Sequence, residues 1–145
     1  MNITDKICRA CGKLRLTAYD NEGRELWQDS GNNLIVQTGY EALADCLAGN
    51  TDATLSHVEI GPRGDTPVLS DTAITDPVRI YTEITSRGAE GVRLDFTIGY
   101  TIANGMPIRE FGIITKDGRL FSRRVRAAIE KTDAMTIVGQ WDITF

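Results

Sequence analysis

NLIVQTGYEALADCLAGN, residues 33–50, decides the fold, because it is the one stretch with a helical pattern in a chain of short strands and turns. Four residues recur at the i, i+3, i+4 and i+7 spacing of one helix face: Tyr40, Leu43, Ala44 and Leu47. The spacing predicts an α-helix over about residues 38–48. We expect its apolar stripe to pack on a sheet and close the core.

Both ends of this helix have sequence signals. Thr38 and Glu41 stand at the spacing of a capping box, in which each side chain satisfies a backbone N–H at the helix start. Gly49 and Asn50 favour the left-handed conformation that ends a helix. The sequence therefore predicts a helix that begins and ends within this stretch.

Outward from the helix, apolar and polar residues alternate in short runs bounded by turn residues. Strands are predicted at residues 13–19, 24–28, 34–36, 55–60, 78–85, 92–102, 108–115, 120–129 and 135–145. Turns are predicted at residues 20–23, 30–33, 104–105 and 116–119. Such alternation predicts sheets with one solvent-exposed face and one buried face, which is typical of antiparallel sheets. The prediction is a mainly β fold, an antiparallel β-sandwich or strongly bent sheet with a single packed α-helix.

Residues 61–77 form a long connection that cannot be regular structure. Pro62 and Pro67 each lack a backbone donor, and Gly61 and Gly64 permit unusual dihedral angles. Residues 70–73 have a composition that can start one helical turn. Loops of this length are usually functional or held against a neighbouring element.

Length and composition indicate an ordinary globular chain. It has 145 residues, a hydrophobic fraction of 41% and a net charge of −4, which suits one domain over residues 1–145, with residues 1–12 a possible N-terminal arm. The acidic balance argues against nucleic-acid binding, which needs a basic surface. No apolar run has the length of a membrane span, and the N-terminus lacks the apolar region of a secretory signal. We expect no membrane partner and a cytoplasmic site of synthesis.

The cysteines have two interpretations. Cys8 and Cys11 form a C-x-x-C pair that, with Cys46 and His57, would supply the ligands of a Cys₃His zinc site. No pattern brings Cys46 and His57 to that pair, and Cys46 also suits the edge of the helix face. We favour the second interpretation and predict neither a metal site nor a disulfide framework.

The sequence contains no catalytic constellation. His57 is the single histidine, and its neighbours Ser56 and Asp52 cannot complete a triad, because adjacent strand residues point to opposite faces. No phosphate-binding loop, dinucleotide fingerprint or calcium loop is present. The prediction is a protein that is not an enzyme and needs no cofactor.

Basic charge gathers at the second predicted hairpin. Arg119, Arg123, Arg124, Arg126 and Lys131 lie within it or just after it, in a chain that is otherwise acidic. On a strand, Arg124 and Arg126 share one face and Arg123 takes the other. Two interpretations are open: a strip that orients an acidic neighbouring subunit, or a solvated surface hairpin.

Four segments of the chain form a recognisable series: NLIVQTGYEALADCLAG, HVEIGPRGDTPVLSDTAIT, IREFGIITKDGRLFSR and the closing TIVGQWDITF. Together they resemble small structural proteins of tailed-bacteriophage tails, such as baseplate components and tail-fibre attachment domains. The corresponding positions are residues 33–49, 60–74, 108–123 and 137–145.

The resemblance implies a virion structural protein, assembled in the host bacterial cytoplasm and located in the tail. Its partners would be further copies of itself and other tail proteins of the hub, tube or fibre. The interface candidates are charged residues of the loop and the hairpin: Arg63, Asp65, Asp71, Arg119, Arg123, Arg124 and Arg126. The alternative is a host-receptor or carbohydrate-binding β-sandwich, for which Tyr19, Trp27 and Tyr81 are the candidate exposed aromatic residues.

Overall fold

A computed structural model describes residues 10–145 of the chain. Its strands are β1 (Cys11–Tyr19), β2 (Glu25–Ile35), β3 (Leu55–Gly61), β4 (Val78–Ile80), β5 (Thr82–Gly88), β6 (Gly91–Ile98), β7 (Pro107–Thr115), β8 (Leu120–Glu130) and β9 (Thr136–Thr144). One α-helix, α1 (Gln37–Leu47), and a short 3-10 turn, Thr51–Ala53, lie between β2 and β3. No helix within residues 10–145 is long and apolar enough to cross a membrane.

All nine strands belong to one antiparallel sheet in the order β4-β3-β7-β8-β2-β1-β9-β6-β5. The sheet has two halves, which meet where Leu34 and Ile35 at the end of β2 pair with Arg123 and Ser122 of β8. The halves curl toward each other and nearly close a barrel. The predicted mainly β, antiparallel fold with a single helix is confirmed.

The two edges of the sheet come from one predicted strand. Residues 78–85 divide at Tyr81 into β4, which pairs with β3, and β5, which pairs with β6 at the far end of the sheet order. Thr82 joins the edges, since its Oγ1 accepts the Val58 N–H at 2.9 Å and donates to the Ile80 carbonyl at 2.9 Å. The prediction of a single strand over residues 78–85 was therefore wrong, because the chain bends at Tyr81 to close the barrel.

The core follows the predicted alternation. Leu14, Leu16 and Ala18 of β1 are fully buried, as is Trp141 of β9. In the register, Leu14 lies opposite Trp141, so paired side chains of adjacent strands fill the same interior. Phe145 differs from the prediction, because it follows the last strand and is exposed.

β2 is longer than predicted. It continues through residues 30–33, which have turn composition, and pairs with β1 along this length. Asn33 explains the difference: its side-chain amide donates to Ser122 Oγ, and its Oδ1 accepts the Trp141 indole N–H at 2.9 Å. The polar residue therefore ties β2 to strands of both halves.

The start of α1 differs from the predicted capping box. The N-cap residue is Val36, and no side chain caps the helix start. Thr38 Oγ1 instead donates to the Leu120 carbonyl at 2.5 Å, and Glu41 accepts a hydrogen bond from Gln37. The predicted end is confirmed, because Gly49 has a φ of +94° and Asn50 donates to the Asp45 carbonyl at 2.9 Å.

The buried face of α1 is rotated from the predicted stripe. Gly39 and Ala42 are its buried residues, and the stripe residues Tyr40 and Leu43 are partly buried against the core. Leu47, by contrast, is 84% exposed. Gly39 lies so close to β8 that an added Cβ would overlap the backbone oxygen of Phe121. Backbone contact at Gly39 therefore sets the orientation of the helix and leaves part of the apolar stripe at the surface.

Two smaller predictions also fail. β6 ends at Ile98, so Tyr100 and Ile102 lie in a turn and are partly exposed instead of extending the strand's buried face. Residues 70–73 form no helical turn. β1 begins at Cys11, within the stretch assigned to a possible arm; residues 1–9 lie outside the described part of the chain.

Candidate functional site

Loop 62–77, which connects β3 to β4, lies across the outer face of β7 and β8 around the side chain of Arg123. The guanidinium group of Arg123 is completely buried. Its Nε donates to Glu110 Oε2 at 2.8 Å, its Nη1 to Asp71 Oδ2 at 3.0 Å and its Nη2 to Asp65 Oδ1 at 3.0 Å. Asp65 and Asp71 belong to the loop, so one arginine fastens the loop to the hairpin.

Glu110 of β7 completes the buried part of this arrangement. It is also fully buried, and its second oxygen accepts the Thr75 backbone N–H at 2.8 Å. The carboxylate therefore binds Arg123 on one side and the returning arm of the loop on the other. A fully buried ion pair persists only when hydrogen bonds satisfy both groups, which is the case here.

Arg63 closes the network at its exposed side. It pairs with Asp65 and with Asp71 Oδ1, the latter at 3.2 Å. The hydrogen bond from Arg63, supported by a smaller one from Arg123, holds the pKa of the Asp65 carboxyl below its ordinary value of 3.8. We call Arg63, Asp65, Asp71, Glu110 and Arg123 the arginine network.

Two further contacts hold the loop. Ile74 packs with Val36, Ile114 and Leu120 in a small cluster separate from the main core. The Gln37 backbone N–H donates to the Leu69 carbonyl at 2.9 Å. The loop is thus fixed to the first turn of α1 as well as to the hairpin.

Arg124 and Arg126 lie on the other face of β8, as the alternation predicts. Both bind Asp29 Oδ2 of β2, Arg124 at 2.6 Å and Arg126 at 3.1 Å. Arg126 also lies over the Trp27 ring, 5.1 Å from its centre. Gly31 leaves room for Arg124, because an added Cβ would touch its guanidinium group. These arginines fill the space where β2 and β8 diverge.

Arg119 lies in the turn of the hairpin. It pairs with Asp117 at 3.0 Å and with Asp45 of α1 at 2.9 Å. Of the seven interface candidates, Arg123, Arg124 and Asp71 are buried, so their charged groups serve contacts inside the chain. Arg63, Asp65, Arg119 and Arg126 retain exposed atoms.

The residues of the zinc interpretation do not come together where they are described. Cys8 lies outside the described residues. Within residues 10–145, no group of three or more His, Cys, Asp and Glu side chains could hold a metal ion. His57 is instead buried on β3, where it contacts Glu59 Oε2 at 3.2 Å and Ser56 Oγ at 3.1 Å. The expectation that Ser56 and His57 point to opposite faces was wrong, because the register shifts between Leu55 and His57.

Lys131 is also buried. Its Nζ donates to Asn104 Oδ1 at 2.7 Å and to the carbonyl oxygens of Tyr100 and Thr132, each at 3.3 Å. Burial lowers the pKa of this ammonium group, and the charge of Asp133 opposes the change. Its contacts with Tyr100 and Asn104 hold the turn after β6.

Sequence reasoning missed three residues that organise these contacts: Glu110, Asp29 and Asn33. A carboxylate that alternates with Ile108, Gly112 and Ile114 along the strand was the available signal for Glu110, because such a group needs a buried cation. No comparable signal exists for Asp29 and Asn33, which have turn-like neighbours and acquire their partners from β8 and β9.

Comparisons of the chain with protein-family models, with curated proteins and with solved structures give no match.

Proposed function

We propose that this chain is a non-enzymatic structural protein of a tailed-bacteriophage virion. It would act as an oligomeric subunit of the tail tip or baseplate, or as the module that attaches tail fibres. The proposal combines the resemblance of four segments to such proteins with one observation from the fold.

That observation is the arginine network. A 16-residue connection without helix or strand ordinarily has conformational freedom that must be lost on binding. Here Arg123 and Glu110, both fully buried, fasten it to the sheet. A pre-ordered surface loop favours association, because little entropy remains to be lost when a neighbour binds.

Two measurements test this function. Light scattering on the purified chain should give a mass above that of a monomer, either alone or after addition of tail proteins. Immunogold labelling of phage particles produced with the chain should mark the tail. A monomer that is absent from the particles would contradict the proposal.

A second candidate function is carbohydrate binding, which one surface depression favours. Tyr81 is 77% exposed, and its hydroxyl donates to Glu83 Oε1 at 2.8 Å. Asp95 Oδ1 lies beside them, buried and without a hydrogen-bond partner in the described part of the chain. The depression, of about 370 Å³, offers an aromatic ring and carboxylates, which are groups that bind sugars.

A glycan array tests the second candidate. Binding that disappears in Tyr81→Ala, while Tyr100→Ala behaves like the wild-type chain, would support it. Tyr100 is a suitable control because it is an exposed tyrosine in the turn after β6. An array without any bound glycan would exclude this function.

A further inference from the structure

An apolar surface lies where α1 meets loop 62–77. Tyr40, Ala44 and Leu47 of the helix and Val68 and Leu69 of the loop form it, and we call it the helix–loop patch. Leu47 is 84% exposed and Leu69 54%. A contiguous exposed apolar patch is a common mark of an interaction site.

The patch has a concave centre. A depression of about 440 Å³ is lined by Gln37, Tyr40, Glu41, Ala44 and Leu69. The small side chain of Ala44 lets a partner approach the helix closely there. The spacing of Tyr40, Ala44 and Leu47 presents a helical ridge, which packs well against a second helix.

The arginine network positions the loop half of the patch. Asp71, bound to Arg123, also accepts the Val68 backbone N–H at 3.0 Å and donates its own backbone N–H to the Val68 carbonyl at 3.1 Å. The adjacent Leu69 is bonded to Gln37 at the start of α1. Residues 68 and 69 are therefore held in place beside the helix before any partner arrives.

The charge beside the patch identifies the chemistry of its partner. α1 carries Glu41 and Asp45 and no basic residue. Asp45 is paired with Arg119, whereas Glu41 forms no ion pair within residues 10–145. Two copies of α1 packed together would place carboxylates against carboxylates, which is unfavourable. A second copy of this chain is therefore a poor occupant, and a basic partner is a good one.

We propose that the helix–loop patch binds an amphipathic helix of a different protein, with an apolar face flanked by lysine or arginine. The inference rests on the proposed function, in which that protein is another tail component. Leu47 and Leu69 would supply the apolar contacts, and Glu41 would pair with a basic side chain.

Peptide binding to the full-length chain tests the proposal. The probes are two labelled amphipathic helices with the same leucine pattern, one with lysine and one with glutamate at the polar positions. We expect saturable anisotropy changes with the lysine peptide and at least tenfold weaker binding of the glutamate peptide. Leu47→Glu and Leu69→Glu should each weaken lysine-peptide binding at least tenfold, and Glu41→Lys should reverse the preference.

Ile84→Glu is the matched control, because Ile84 is an exposed apolar residue of β5, outside the patch. It should leave lysine-peptide binding unchanged. The proposal is overturned if neither peptide binds, if both bind equally, or if Ile84→Glu weakens binding as much as Leu47→Glu. It is also overturned if Leu47→Glu abolishes self-association, since a second copy would then be the occupant.

These outcomes are separate from those of the proposed function. A chain found in the tail that binds neither peptide would disprove the patch alone. A chain absent from phage particles that binds the lysine peptide as described would disprove the tail function alone.

Discussion

A single guanidinium group decides how loop 62–77 is held. Arg123 donates four hydrogen bonds, one to Glu110, one to Asp71 and two to Asp65. Its planar fork can satisfy several oxygens at fixed angles, which the ammonium group of lysine cannot do. Arg123, one of the seven interface candidates, thus makes its contacts within the chain.

Arg123→Met should destabilise the fold by roughly 3–5 kcal/mol, because it leaves the carboxylate of Glu110 buried without a cation. Urea unfolding measures this change in the free energy of unfolding. Adding Glu110→Met should recover part of the loss, since no uncompensated charge then remains. The control is Arg126→Met on the same strand, whose partly exposed side chain should cost only about 1 kcal/mol. Equal losses for Arg123→Met and Arg126→Met would contradict this account.

Acid should weaken the exposed side of the arginine network. The pKa of Asp65 is lowered in the folded chain, chiefly by Arg63. Its stabilising contribution is therefore fully present above the unfolded value near 3.8 and is lost as the pH falls through the lower folded value. Urea unfolding at a series of pH values, from 6 down to strongly acidic, gives the free energy of unfolding of wild type and of Asp65→Asn. Wild type should be the more stable at pH 6, and the difference should shrink as the pH falls below the unfolded value. A constant difference would contradict the prediction.

At the scale of elements, α1 shows how packing overrides periodicity. The apolar stripe and the contact at Gly39 favour different faces, and the backbone contact prevails. Gly39 is the residue that lets the helix approach Phe121 of β8. The stripe residues Ala44 and Leu47 are left exposed, which creates the helix half of the helix–loop patch.

Gly39→Ala should destabilise the fold by about 1–3 kcal/mol, because the added Cβ forces the helix away from β8. Helix propensity predicts the opposite sign, a gain of about 1 kcal/mol, so thermal or urea unfolding distinguishes the two effects clearly. Gly88→Ala in β5 is the control, since an added Cβ meets no atom there. A stabilised Gly39→Ala variant would show that the helix does not depend on this contact.

For the whole molecule, the closure of the barrel is the feature that arranges the other elements. β4 and β5 are consecutive in the chain but occupy opposite ends of the sheet order. The sheet must therefore curl until its edges meet at Thr82. α1 and loop 62–77 both lie against the hairpin of β7 and β8, the helix through Gly39 at Phe121 and the loop through the arginine network.

Thr82→Val should weaken this closure by about 1–3 kcal/mol, because the Val58 N–H loses its acceptor. Hydrogen exchange of the Val58 amide should accelerate, and urea unfolding should give the corresponding loss. Thr97→Val is the control, since Thr97 is exposed on β6. Unchanged exchange at Val58 would show that the edges are held by other contacts.

The amino-acid sequence alone was sufficient for the mainly β class, most of the strand positions and much of the core, but not for the bounds of β2 and β6 or the division of residues 78–85. Residues such as Leu14, Leu16 and Trp141 follow a period of two, and this local pattern specifies which face is buried. The long irregular connection and the opposite faces of Arg123 and Arg124 were predictable for the same reason. Each of these features depends on residues that are close in the chain.

Tertiary packing decided the rest. Arg123 and Asp71 are 52 positions apart, and no local pattern records that they meet. Asn33 became a strand residue because Trp141 and Ser122 supplied its partners. The orientation of α1 depended on the close contact between the backbone of Gly39 and the backbone of Phe121. Hydrophobic periodicity is a property of neighbouring residues, whereas buried charges and close backbone contacts acquire their energy only when distant segments are brought together.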